Sequence, residues 1–432
     1  MELLHTDEQT LDDIRIFSKN SGKGIYDIYN HCHTRGGEAM LQEMFRHPLS
    51  DSKQIKSRSS ILKSFAQLGL KFPFDAALLD MAEKFLASTI DTHSSSTGPS
   101  SLSEKETYNG ITAIIELMQV AKRFASSDEL IRVETYTLER VQLLALLEDP
   151  VFEPVYKEKL KNKIPYAAVT AFDTLFRIQQ RQKIEQLLHA FYLLDVYLSI
   201  AKVAISRSFV FPEVLPKGET ILQIDGLYHP ELEKPVANNI SMHAEGNVVF
   251  LTGANMAGKS TFLRSVSTAV YIAHIGFPVA ASRMTFSVMD GIYTTINLPD
   301  NLGIGASHFY AEVLRLKKVA AGLQRGQALF VIFDELFRGT NVKDAHEATV
   351  AITSGFATKK NSLFIISSHI VEAGEALSNK DSVRFLYLPT RMNGHTPEYT
   401  YKLEQGVTDD RHGMIIIRNE GILDILEKAR KK

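Results

Sequence analysis

Between Ile184 and Ile205 apolar residues recur at Ile184, Leu187, Leu188, Phe191, Leu194, Leu198, Ala201 and Ile205, the i, i+3, i+4, i+7 spacing of one helix face. This spacing predicts one long helix, with Tyr166, just after Pro165, as its earliest start and a stop before Pro212, because proline suits a helix start and stops a helix further on. About 40 residues at 1.5 Å each span roughly 60 Å, which reads as a lever or spoke. Upstream, Leu11 to Ile28 and Gly36 to Phe45 read as further helices interrupted or joined by Gly-containing turns, and the Ser-rich stretch from Ser88 to Ser103 reads as a surface loop. After about residue 206 the rhythm changes. Short apolar runs at Asn247 to Thr252, Ala328 to Phe333, Ser362 to Ser367 and Arg384 to Leu388 alternate with helix-length segments, the βαβ pattern of a parallel sheet. Arg384 to Leu388 is expected to pair with Tyr399 to Leu403 across Met392-Asn393-Gly394 as an antiparallel hairpin near the sheet edge. The expected fold is therefore an α-helical domain over 1–206 followed by an α/β domain over 207–432, with the boundary at Arg207 to Gly218.

Composition narrows the function classes. The 432 residues are 44% hydrophobic and 23% charged, an ordinary globular balance with enough apolar surface for a full core. The 48 Lys plus Arg against 50 Asp plus Glu leave a charge of −2, which argues against a chain coated in positive charge for nucleic acid. Local excess remains: Val151 to Val210 holds nine basic residues against five acids, compatible with phosphate contacts but equally with a solvated helix face. The acidic start lacks the basic, then apolar, pattern of a signal peptide. The nearest approach to an apolar span, Val266 to Ala281, contains Ser267, Thr268, His274 and Pro278, so no membrane crossing and a cytoplasmic location are expected. The single Cys32 excludes an internal disulfide. His31-Cys32-His33, read as adjacent residues on a helix, point in different directions and do not suggest a metal site.

The chemistry concentrates in three places. Gly253-Ala254-Asn255-Met256-Ala257-Gly258-Lys259-Ser260 is a complete G-x-x-x-x-G-K-S phosphate loop, following the strand-like Val248 to Leu251 and opening a helix, with Thr261 next. Glycines let backbone N–H groups face phosphate oxygens, Lys259 reaches the β and γ phosphates, and Ser260 holds magnesium. Asp334-Glu335 ends an apolar strand: Asp334 serves Mg2+, and Glu335 orients and deprotonates the attacking water, which favours hydrolysis over transfer to a small acceptor. Ser367-Ser368-His369 ends the next strand, where His369 can sense the γ phosphate of ATP.

These residues resemble the ABC-type P-loop ATPase of the MutS DNA mismatch repair family. The family loop T-G-P-N-M-G-G-K-S-T differs from Thr252 to Thr261 only at Ala254 and Ala257. The family pattern D-E-L-G-R-G-T differs from Asp334 to Thr340 only at Phe337. His229-Pro230 and Asn238 are similar to the family's H-P and N elements, and Tyr401 to Gly406, with Gly413, to its Y-x-L-x-x-G segment. Asp300-Asn301-Leu302 and Gly305 to Glu312 resemble its signature loop, S-x-F-x-x-E, which implies that Ser307 faces the γ phosphate bound by a second subunit. Thr34 to Gly37, Leu41 and Arg46 to Asp51 resemble its core helical domain, and Leu187 to Phe211 its lever.

The resemblance implies a homodimer with composite sites for ATP and Mg2+, Asn238 among the nucleotide-binding residues, mismatched or branched double-stranded DNA as partner, and a further repair protein. The family's Phe-x-Glu reader domain has no room before a core that starts near residue 1. Phe211-Pro212-Glu213 fits that pattern only at the lever junction, and Lys71 to Leu160 is short for a DNA-encircling clamp. The nuclease-like extension of the second MutS class is not expected either. A protein-assembly switch or a ribosome-associated ATPase therefore stand as alternatives to mismatch repair. An SMC-type enzyme lacks support because L-S-G-G-Q is absent, and a P-loop kinase is disfavoured by Asp334-Glu335.

Overall fold

The computed structural model describes residues 2–18, 22–88, 102–296, 308–337, 340–393, 396–407 and 425. The chain divides into two compact units, one of Met1–Ile28, His47–Lys56 and Arg207–Lys432, the other of Tyr29–Arg46 and Ser57–Ser206.

The second unit is helical. Its long segment starts at Tyr166 but is not one helix. Tyr166–Asp173 leads into a π-helical turn, Thr174–Gln179, and Arg181–Arg207 follows after Gln180 leaves helical geometry at φ −126°. The wider turn buries Phe176 completely, while Arg177 grips Asp173 with two bonds of 2.5 and 2.6 Å and lies over the Phe85 ring. Arg181–Arg207 is the one helix among the described residues long and apolar enough to cross a bilayer, yet 67% of its apolar window is buried inside the protein. From Leu194 to Ala201 every side chain is buried, as in a core helix enclosed on all sides.

Asp195, fully buried in that helix, explains the Thr34 to Gly37 pattern. Its carboxylate accepts from the backbone N–H groups of His33 and Thr34, from Thr34 Oγ1 at 2.8 Å and from His33 Nδ1 at 2.9 Å. Thr34 Oγ1 in turn accepts from Gly37 N, at the start of the helix Arg35–Arg46. A Cβ on Gly37 would sit 2.5 Å from Asp195 Oδ2, so only glycine allows the approach. His31-Cys32-His33 lies in the loop before that helix rather than on one. Burial, then the Asp195 charge, pushes the Cys32 thiol up to about 12.

The first unit carries the sheets. A four-stranded sheet has the order β1-β5-β2-β3, with β1 (Glu213–Leu215), β2 (Ile221–Leu227), β3 (Asn238–His243) and β5 (Arg283–Ser287). A six-stranded sheet has the order β12-β9-β4-β8-β7-β6, made by β4 (Val248–Gly253), β6 (Gly291–Thr295), β7 (Leu329–Asp334), β8 (Leu363–Ser367), β9 (Val383–Leu388) and β12 (Glu404–Gln405). All but β12 run parallel, and every position of β4, β7 and β8 is buried, as expected of strands covered on both faces. The expected hairpin is split. β10 (Thr390–Asn393) pairs with β11 (Thr396–Tyr399), whereas β9 pairs with β12, Tyr387 opposite Glu404.

The first residues differ from the division expected at 206/207, because their backbone is used by the sheet. His5 donates to Asp290 O and accepts from Ile292 N, covering the β6 edge, and Asp13 accepts from Thr294 Oγ1 and Ile296 N. Among the described residues, Leu11 to Ile28 falls in two short helices, Glu8–Asp13 and Ile25–Tyr29.

Candidate active site

The neighbouring strands β4, β8 and β7 end on the same edge of the parallel sheet, where α/β folds place their ligands. β4 ends in the phosphate loop, which needs backbone conformations that side chains resist: Gly253 has φ 149°, Met256 69° and Gly258 100°. A Cβ at Gly253 would meet Leu388 O at 3.1 Å, and one at Gly258 the Tyr401 ring at 3.0 Å. The helix Lys259–Ile275 follows, its N-terminal N–H groups facing the loop. Lys259 is 5% exposed, and its Nζ donates to Gly253 O at 2.7 Å and Ala254 O at 3.1 Å. Asn255 and Met256 are exposed, and Ala257 is buried beneath the loop.

The second strand end meets the first. Ser260 Oγ donates to Asp334 Oδ2 at 2.5 Å, while Asp334 Oδ1 is buried without a hydrogen-bond partner among the described residues. Ser367, directly opposite Asp334 in the β7–β8 register, also has a buried Oγ without a partner among the described residues. The Asp334 carboxylate and the Ser260 and Ser367 hydroxyls suit a hydrated hard cation that takes most of its ligands from water and phosphate. Glu335 has φ 58° and its N–H donates to Ser367 O at 2.9 Å, which turns its side chain toward His369, whose Nε2 contacts Glu335 Oε1. Lys259, Ser260, Asp334, Glu335 and His369 are thus brought to one edge of the sheet.

Beside the loop lies a cavity of about 290 Å³ whose lining includes Tyr228, His229, Asn238, Thr261, Phe262 and Tyr401. Burial, then the Arg264 and Arg15 charges, holds His229 down at about 4, so its imidazole is neutral near pH 7 and Nδ1 accepts from Glu231 N. Glu231 Oε2, 3.9 Å away, is then no ion-pair partner. Asn238 borders this cavity, but its amide is committed elsewhere: Nδ2 donates to Tyr401 O at 2.9 Å and Oδ1 accepts from Leu403 N at 2.7 Å. Sequence reasoning gave no site role to Tyr228, Phe262 or Tyr401; the only signal was the Tyr401 to Gly406 segment itself. Ser307, Asp300 to Ala306, Arg338, Gly339 and Gly413 lie outside the described residues.

A family model described as MutS domain V matches residues 249–432. The DNA mismatch repair protein MutS of Fusobacterium nucleatum is 29% identical over 245 residues, 55% of this chain and 27% of that protein. That of Geobacillus thermodenitrificans is 26% identical over 317 residues, 72% of this chain and 32% of that protein. Over residues 249–432 the chain is similar to MutS domain V. It matches less than a third of the length of these relatives. Within the stretch matched to MutS domain V fall Lys259, Ser260, Asp334, Glu335 and His369, the residues that the strand ends bring together.

Proposed function

We propose that this MutS-like chain binds and hydrolyses ATP at the ends of β4, β8 and β7. The observation that carries the reading is the convergence of a loop-folded Lys259, the Ser260–Asp334 pair and the Glu335–His369 pair. The loop N–H groups and Lys259 take the phosphates, and the apolar, aromatic cavity beside Tyr228 and Tyr401 suits a neutral base ring. Ser260 and Asp334 are the residues that would hold Mg2+, which when bound supplies charge neutralisation on the phosphates. Glu335 accepts the proton of the attacking water, and His369, in contact with that carboxylate, is assigned to the terminal phosphate. Glu335→Gln is expected to keep ATP affinity while lowering kcat by about 100-fold or more, the scale of a lost general base. Phosphate-release kinetics beside fluorescent-nucleotide binding test this, and retained turnover sinks the assignment of the base.

Beyond hydrolysis, we propose a homodimer with Ser307 completing the partner's site, acting on mismatched or branched duplex together with a repair protein. Fluorescence anisotropy with perfect, mismatched and four-way-junction DNA at two salt concentrations, with and without ATP, tests it. No binding at low salt would move the reading to a nucleotide-driven protein switch.

A further inference from the structure

We infer that Glu312 is a positioning residue for Glu335, fixing the loop after β7 to the helix His308–Gln324; the inference rests on the ATPase reading above. The loop needs such a hold. Glu335 and Phe337 have φ 58° and 66°, two non-glycine residues in the left-handed region within three positions. Each is a conformation that L side chains resist and that persists only where surroundings enforce it. Phe337 stands where the D-E-L-G-R-G-T pattern has glycine, so the freedom that would make this turn easy is absent.

The surroundings supply the enforcement. Phe337 N–H donates to Glu312 Oε2 at 2.6 Å, a short bond to a carboxylate that is 5% exposed. The Phe337 ring lies 5.7 Å from that of Phe309, one turn earlier on the same helix, and Leu336 and Phe337 are both in the hydrophobic core that Phe309 and Val313 pack against. The helix is itself anchored one turn further on. Arg315 donates to Asp7, to Thr10 Oγ1 at 2.9 Å and to Thr294 O at 2.7 Å, which ties the helix to β6 and the N-terminal segment. Glu335 is thus fixed through its own N–H on Ser367 O and, two residues on, through Phe337 on Glu312.

The test uses the full chain. Glu312→Ala should lower kcat by about 100-fold, the scale of a roughly 1 Å misplacement, with the dissociation constant for a fluorescent ATP analogue changed by no more than about 2-fold. Glu312→Gln keeps an acceptor oxygen and should recover the rate to within about 5-fold of wild type. Hydrogen exchange at the Phe337 amide should accelerate in Glu312→Ala and stay slow in Glu312→Gln, with β7 amides unchanged in both. A Glu312→Ala rate near wild type, a loss confined to nucleotide affinity, or a Glu312→Gln variant as slow as the alanine would overturn the inference while leaving the ATPase reading standing. A wild-type chain without turnover refutes that reading, and the positioning role falls with it.

Discussion

Asn238 separates two ways of reading the same residue. The family resemblance makes it a nucleotide ligand; the structure spends its amide on the segment that covers the phosphate loop. Asn238→Ala removes the bonds to Tyr401 O at 2.9 Å and Leu403 N at 2.7 Å, plus a weaker one to Val236 O at 3.3 Å. At about 1 kcal/mol net for each good bond, and with a partly buried Leu403 N–H left to find water, the loss is about 2 kcal/mol. For a unit of this size that lowers Tm by roughly 4 to 8 °C. Because the Tyr401 ring lies against Gly258, nucleotide affinity should fall as well, but only through the loosened segment. The assay is thermal unfolding without nucleotide beside nucleotide binding at a temperature where the variant is folded. An unchanged nucleotide-free Tm with ATP binding abolished would refute the reasoning and return Asn238 to the role of direct ligand.

Gly258→Ala puts a Cβ into a φ of 100° and within 3.0 Å of the Tyr401 ring, so it should cost about 1–2 kcal/mol and weaken nucleotide binding; calorimetry with and without nucleotide checks both. Acid should destabilise the protein through its buried imidazoles. His229 and the fully buried His274 are held down at about 4 from 6.5 by burial, so between those values the unfolded chain binds more protons and stability falls as pH falls. His274 donates from Nδ1 to Val270 O and accepts at Nε2 from Met289 N, a neutral tautomer that protonation breaks. The ceiling is about 3 kcal/mol for each imidazole, from 2.5 pH units at 1.36 kcal/mol. Asp7, lowered to about 2 against its own burial by Arg315 and Lys318, adds a further loss only below 3.8. Denaturant midpoints measured from pH 7 to 4 should decline, and a flat profile would show that these imidazoles are solvated.

What could be read from the chain alone was local. The phosphate loop announces itself because its conformation demands glycine at 253 and 258 within eight residues, and β4, β7 and β8 because strands covered on both faces are apolar at every position. What could not be read depends on partners far along the chain. Nothing near His5 says that its backbone pairs with Asp290 and Ile292, and nothing near Gln180 says that burying Phe176 and joining Arg177 to Asp173 and Phe85 will interrupt a helix whose apolar spacing runs on. The Asn238 amide looks like a ligand until the strand pairing brings Tyr401 and Leu403 to it.

Phe337 shows how the two kinds of information combine. As a departure from a glycine in a known pattern it reads as a simple mismatch. Its φ of 66° turns that mismatch into a demand, since a buried phenylalanine in the left-handed region stays only if something holds it. The carboxylate that holds it belongs to the helix His308–Gln324, 25 positions earlier. A residue that looks like drift in the acidic motif therefore makes Glu312 answerable for the placement of Glu335, and the two should be studied as one unit: Phe337→Gly relieves the strain and should leave turnover less sensitive to the loss of the Glu312 carboxylate, which a double-mutant cycle on kcat measures directly.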